Sequence, residues 1–218
     1  MKYVMAYAGS RLGPRPLEEG ATRASVGAEC RVAALEFMAG VASGWDKLDL
    51  VRWLTGPYTR ATRHAQRGER TFVANDDGRG AGALVVDPAA LEELLTTERG
   101  RVLAALEKAA LSGGALDFTT DAIELGLVRR ATDQDGTVAW IPVDGARMRL
   151  VDRVRSLFAA DYLDDPASYA ALYVCHRCEA VVFDEDARAL GMCSLHRRQS
   201  GIVTRGVDEP ETLAVGDD

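Results

Sequence analysis

Between Thr22 and Val41 the apolar positions Val26, Cys30, Ala33, Phe37 and Val41 recur at steps of four, three, four and four, which places them on one face of a helix. Residues 1–10 read as a short strand, and Gly13-Pro14-Arg15-Pro16 breaks the backbone into a loop. The Asp46 carboxylate can cap the next turn, so a second helix follows, burying Leu50, Val51 and Leu54 and stopping at Gly56-Pro57. Residues 58–66 read as a third helix. Residues 71–74 and 83–86 are strand-like and flank a glycine-rich loop, predicting a hairpin. Asp87-Pro88 opens a helix through Leu91, Leu94 and Leu95, and Thr96 or Thr97 caps another bearing Val102, Leu103, Leu106 and Ala110, closed by Ser112-Gly113-Gly114. Thr120 caps a short helix through Ala122, Ile123 and Leu125, ended by Gly126. Residues 127–129 and 138–141 then pair across Asp135-Gly136. Val151, Val154, Leu157 and Phe158 form the apolar side of an amphipathic helix, with Arg149, Asp152, Arg153 and Arg155 on its remaining surface. Asp164-Asp165-Pro166 ends it and begins a link to the C-terminal segment.

The order of elements over residues 97–143 (helix, turn, short helix, hairpin) resembles a winged helix-turn-helix. The resemblance implies a DNA-reading role for the short helix over residues 121–125, yet that helix carries Asp121 and Glu124, which oppose phosphate. Charge is uneven along the chain. Residues 1–70 sum to +4 and residues 71–218 to −11, giving a net −7. An acidic protein binds nucleic acid only through a local basic patch. Arg60, Arg63, His64 and Arg67 fall on one helical stripe, and Arg197 and Arg198 cluster with Arg205. Both are candidate nucleic-acid or partner contacts, weighed against the plainer reading of solvated surface. No apolar run reaches eighteen residues, so no membrane helix is expected.

The chemistry concentrates near the C-terminus. Cys175-His176-Arg177-Cys178 is followed, after fourteen intervening residues, by Cys193-Ser194-Leu195-His196. Two pairs of soft donors, each wrapping a metal from one turn, suit tetrahedral coordination, and four protein ligands leave no position for substrate. The motif therefore predicts a structural zinc held by Cys175, Cys178, Cys193 and His196. Residues 173–198 resemble a treble-clef or zinc-ribbon finger. In that resemblance Cys175 and Cys178 form the knuckle, residues 180–183 the first strand, residues 184–186 its turn, and Cys193 with His196 the pair opening a helix. Competing readings are His176 as a ligand in place of His196, and Cys175/Cys178 as a redox pair.

Other constellations read as structure. Gly78, Gly80 and Gly82 precede a strand instead of opening a helix, so they form a hairpin tip rather than a phosphate loop. Cys30 lies on an apolar stripe and reads as a core thiol, not a nucleophile served by His64. Asp161, Asp164 and Asp165, and Asp184, Glu185 and Asp186, sit at predicted breaks and read as solvated. No hydrolase, metalloprotease or deaminase signature occurs. Three of the four cysteines are absorbed by the metal motif, which argues against a disulfide framework and for a reducing cytoplasm.

The chain is thus expected to be α+β: a mainly helical body with one or two β-hairpins and a small C-terminal zinc-binding module. Its expected organisation is residues 1–96 (helices and a hairpin), 97–166 (the winged-helix-like segment and amphipathic helix), 167–206 (the zinc module) and 207–218 (an acidic, disordered tail). The function that follows is a non-enzymatic cytoplasmic regulatory or adaptor protein with a protein partner. The alternatives are a DNA-binding regulator and an enzyme of unrecognised type with an accessory zinc.

Overall fold

A computed structural model of the chain describes residues 15–16, 21–65, 88–132, 135–144 and 148–201. The expected first strand, the 71–86 hairpin with its glycines, Arg67, Arg205 and the acidic tail lie outside the described residues. Within them the fold is α+β: mainly helical, with two small antiparallel hairpins.

Helix α1 (Arg23–Ala42) begins as read. Thr22 Oγ1 accepts the Ser25 N–H at 3.2 Å while Ser25 Oγ accepts the Thr22 N–H at 3.0 Å, a reciprocal cap. Helix α2 (Lys47–Trp53) is capped by Asp46, which accepts from the N–H groups of Leu48 and Asp49. It does not stop at Gly56-Pro57. Pro57 offers no N–H, and the chain widens into a π turn over Leu54–Tyr58 before α3 (Thr59–Thr62) and a 3-10 turn (Arg63–Ala65). Trp53 and Tyr58, both fully buried with ring centroids 5.2 Å apart, anchor the two sides of that turn. The Trp53 indole N–H donates to the Ala33 carbonyl at 2.8 Å. The buried side of α2 is therefore Trp53, whereas Val51 is exposed.

Helix α4 (Pro88–Leu111) is one helix, not two: no cap interrupts it at Thr96 or Thr97. The expected boundary after residue 96 falls inside it. Gly114, at φ +93°, lets the chain turn back toward α5 (Phe118–Glu124), which starts before Thr120. Strands β2 (Val128–Thr132) and β3 (Val138–Pro142) form the expected hairpin, Arg130 opposite Trp140, and β1 (Arg15–Pro16) adds in parallel to β2.

Helix α6 (Leu150–Asp164) departs most from expectation. Its Val151, Val154, Leu157 and Phe158 are buried as read, but so are Arg153, Ser156, Ala159, Ala160, Asp161 and Asp164. It is a central helix packed by α1, α4, α5 and β3. Arg153, expected on the polar side, bonds Asp144 and the Tyr58 hydroxyl inside the protein. One core runs from α1 through α4 and α6 into the strand that follows. The stretch after α6 is no loose link: a 3-10 helix (Pro166–Ala171) buries Tyr169 completely.

Candidate metal centre

Strands β4 (Leu172–Val174) and β5 (Val181–Phe183) pair antiparallel, Leu172 opposite Phe183 and Val174 opposite Val181. Side chains alternate across a strand, and here the two faces serve different cores. Leu172 and Val174 lie in the main core, with Val181 and Phe183 packed against it. Tyr173 and Cys175 instead join Ala187 and Cys193 in a second, small cluster, flanked by Ala180 and Val182. The hairpin is thus a shared wall between body and C-terminal segment.

The tip of this hairpin carries the first cysteine pair. The Cys175 N–H donates to the Ala180 carbonyl at 2.9 Å and the Glu179 N–H to the Cys175 carbonyl at 2.7 Å, closing a tight knuckle. Glu179 takes φ +55°, the left-handed region, which a non-glycine residue occupies only when its surroundings hold it there. Arg99 of α4 holds it: Nη1 meets the Glu179 carboxylate at 2.6 Å, Nη2 reaches the Glu179 carbonyl at 3.3 Å, and Nε donates to the Met38 carbonyl at 2.9 Å.

After β5 the chain corrects the expected hairpin. Residues 184–186 form no β-turn. Asp184 Oδ1 accepts from the Ala187 N–H at 3.1 Å and caps α7 (Glu185–Leu190), which Gly191 ends at φ +66°. Cys193 then occupies the N-cap of α8 (Ser194–Gln199), with His196 in its first turn, as the sequence placed them. Arg197 is not a surface cation: it is buried, with Nη2 on Asp184 at 2.5 Å and Nη1 on Asp186 at 3.3 Å. It locks α8 onto the start of α7, so Arg197, Asp184 and Asp186 are spent on one another, while Glu185 is exposed. Arg198 is exposed.

These turns bring the four predicted ligands together. The ligand atoms of Cys175, Cys178, Cys193 and His196 all lie within 4.8 Å of one another, so the group can hold a metal ion. Nδ1 of His196 is 3.3 Å from both Cys175 Sγ and Cys193 Sγ, and Cys178 Sγ is 3.7 Å from Cys193 Sγ. His176 is exposed and outside this group. Burial disfavours a Cys175 thiolate, but N–H groups of Cys193, Arg177 and Cys178, with the His196 ring, outweigh it and hold the thiol at about 6. Burial and the adjoining sulfurs push Cys178 up to about 11. Cys175 and Cys193 are buried, and Cys178 is exposed.

The remaining candidates are dispersed. Arg60 is exposed; Arg63 makes a two-point pair with Glu29 at 2.8 and 3.0 Å; His64 is half-buried, its carbonyl accepting from Arg129. The basic stripe is thus partly spent on the body itself. Cys30 is a fully buried core thiol, and burial pushes its ionisation well up.

Several organising polar residues escaped the sequence reading. Asp161 is buried, not solvated; it accepts from Arg31 Nε and the Tyr169 hydroxyl, each at 2.7 Å, while Arg31 stacks 4.5 Å from the Phe183 ring centroid. Asp164, also buried, accepts from the Trp140 N–H at 2.9 Å and pairs with Arg23. Helical spacing was the available signal. Arg99 continues the stripe Leu91, Leu95, Val102, and Asp161 continues Val154, Leu157, Phe158.

No helix among the described residues is long and apolar enough to cross a membrane. No protein-family model matches the chain, and neither the curated proteins nor the solved structures hold a significant match to it.

Proposed function

We propose that Cys175, Cys178, Cys193 and His196 bind one structural zinc ion, and that the chain is a non-enzymatic regulatory or adaptor protein whose zinc-held segment supports contact with a protein partner. The observation that carries this reading is the convergence of four soft donors from two turns. Zinc–sulfur bonds of about 2.3 Å and zinc–nitrogen bonds of about 2.0 Å imply tetrahedral edges of roughly 3.8 Å between sulfurs and roughly 3.5 Å from sulfur to nitrogen. The 3.7 Å and 3.3 Å separations match those edges with little adjustment.

Packing supports the same reading. The second core holds four buried residues, two of them cysteines, too few to order α7 and α8 by apolar burial alone. A structural zinc contributes an apparent ~10–16 kcal/mol in peptide-sized modules, which supplies the deficit. The segment resembles a treble clef in its knuckle and in the ligand pair opening α8, and differs in having α7 where that fold has a returning strand. A closed ligand set offers substrate no place, whereas Leu190 and Leu195 are exposed on the two helices and offer apolar contact. Thiol ligands and a free Cys30 fit a reducing compartment such as the cytoplasm. The spending of Arg63 on Glu29 weakens the DNA-binding alternative.

The test is metal analysis of the purified chain beside Cys193→Ser. One zinc per chain, lost in the variant together with protease resistance of residues 172–201, is the expected result. Full protease resistance without metal would overturn the structural role, and robust intrinsic turnover would overturn the non-enzymatic one.

A further inference from the structure

We propose that Cys178 and Cys193 form an oxidative modification site: a hydroperoxide converts this pair to a disulfide and so removes two of the four metal donors. The inference rests on the zinc reading above and goes beyond it. Exposure singles out the entry point, because Cys178 is the exposed member of a set whose other cysteines are buried. Distance singles out its partner. The Cys178 and Cys193 sulfurs are 3.7 Å apart, so forming the bond of about 2.05 Å needs a closure within reach of two turn-borne side chains. Cys175 is the poorer partner although it shares the knuckle. Its backbone is tied on both sides of the knuckle, the N–H to the Ala180 carbonyl at 2.9 Å and the carbonyl to the Glu179 N–H at 2.7 Å, which restricts the approach of its sulfur to Cys178.

The chemistry balances with peroxide as the oxidant. The Cys178 sulfur attacks one peroxide oxygen; the O–O bond breaks, and hydroxide leaves and takes up a proton, giving a sulfenic acid and water. The Cys193 sulfur then attacks the Cys178 sulfur; the S–S bond forms, the S–O bond breaks, and the departing hydroxide becomes a second water. Two thiolates, one peroxide and two protons yield one disulfide and two waters. Cys175 and His196 remain as two donors, which do not retain the ion, and a dithiol reductant restores all four.

The chain itself provides a sharp readout. Trypsin places the three cysteines in different peptides: Cys175 in 156–177, Cys178 in 178–188 and Cys193 in 189–197. The full-length zinc-loaded protein is treated with one equivalent of hydrogen peroxide, with released zinc followed by a chromophoric chelator and cross-links mapped by mass spectrometry. The expected result is zinc release together with a link between 178–188 and 189–197, both reversed by dithiothreitol. A link between 156–177 and 178–188, or release accompanied only by Cys178 sulfinate, overturns the proposal. Protein that carries no zinc as purified refutes the proposed function instead, and the cross-link map still decides the pairing.

Discussion

Replacing Arg99 with methionine tests whether the knuckle is fixed by the body. The substitution keeps the aliphatic stem within α4 and removes three donors: one to the Met38 carbonyl and two to Glu179. The contributions differ in kind. The Met38 carbonyl lies in the buried face of α1, and leaving a buried acceptor unmet costs about 1–3 kcal/mol. That carbonyl belongs to a helix that offers it an intrahelical partner, so the lower part of the range applies. The ion pair contributes less, because the Glu179 side chain is 56% exposed and water replaces the guanidinium. A pair so exposed is worth about 0.5 kcal/mol. Removing a buried charge also relieves desolvation, which offsets part of the loss.

The expected net is a destabilisation of about 1–2 kcal/mol in urea unfolding. The more specific consequence lies at the knuckle, where Glu179 is held in a left-handed conformation against its intrinsic preference. Released from Arg99, that turn opens more often, and zinc transfer to a chelator should accelerate by up to about tenfold for 1.4 kcal/mol. Glu179→Gln keeps a hydrogen-bonding oxygen and loses only charge, so it should move stability by under about 0.5 kcal/mol. Unchanged stability together with an unchanged zinc transfer rate in Arg99→Met would refute the argument that α4 positions the metal centre.

Two further outcomes follow from the body. Burial raises Asp164 to about 6, above its ordinary carboxylate value of 3.8, so the folded chain binds the extra proton between about pH 4 and 6 and this carboxyl destabilises the fold as pH rises through that window. Asp164→Asn should therefore gain on the wild type by about 1–3 kcal/mol between pH 4 and 7, read as the difference of two urea titrations; a constant difference would refute the assignment. Gly114→Ala places a Cβ about 2.3 Å from the Tyr169 carbonyl oxygen at φ +93°, and should lower stability by more than about 2 kcal/mol in thermal unfolding, where an unchanged midpoint would show that the 112–117 turn is not packed as described.

What the sequence made legible follows from the range of the interactions involved. Asp46 was readable as a cap because a cap is satisfied within three residues. The four candidate ligands were readable because each pair is local and soft donors are scarce; their convergence required only that residues 179–192 fold back. The break expected at Thr96-Thr97 misjudged competition. A threonine caps only where N–H groups are free, and the stripe Leu91, Leu95, Glu98, Val102, Leu106 runs through without a gap, so burial keeps the helix intact. The end expected at Pro57 failed similarly, because burial of Trp53 and Tyr58 outweighed the missing N–H.

Charged residues on the apolar stripes mark the deeper limit. Arg99 and Asp161 sit at helical spacing among leucines, valines and phenylalanine, where a lone charge is untenable unless something distant meets it. The sequence therefore shows that each has a partner, but only the fold identifies it. For Arg99 it is Glu179, eighty residues on, in the knuckle of the candidate metal centre. For Asp161 it is Arg31 on α1, stacked on Phe183 of the strand that leads into α7. Both contacts tie the body to the shared hairpin from opposite ends. Stability of the body and retention of the metal should therefore be coupled, with Arg99 the position where that coupling is most exposed to mutation.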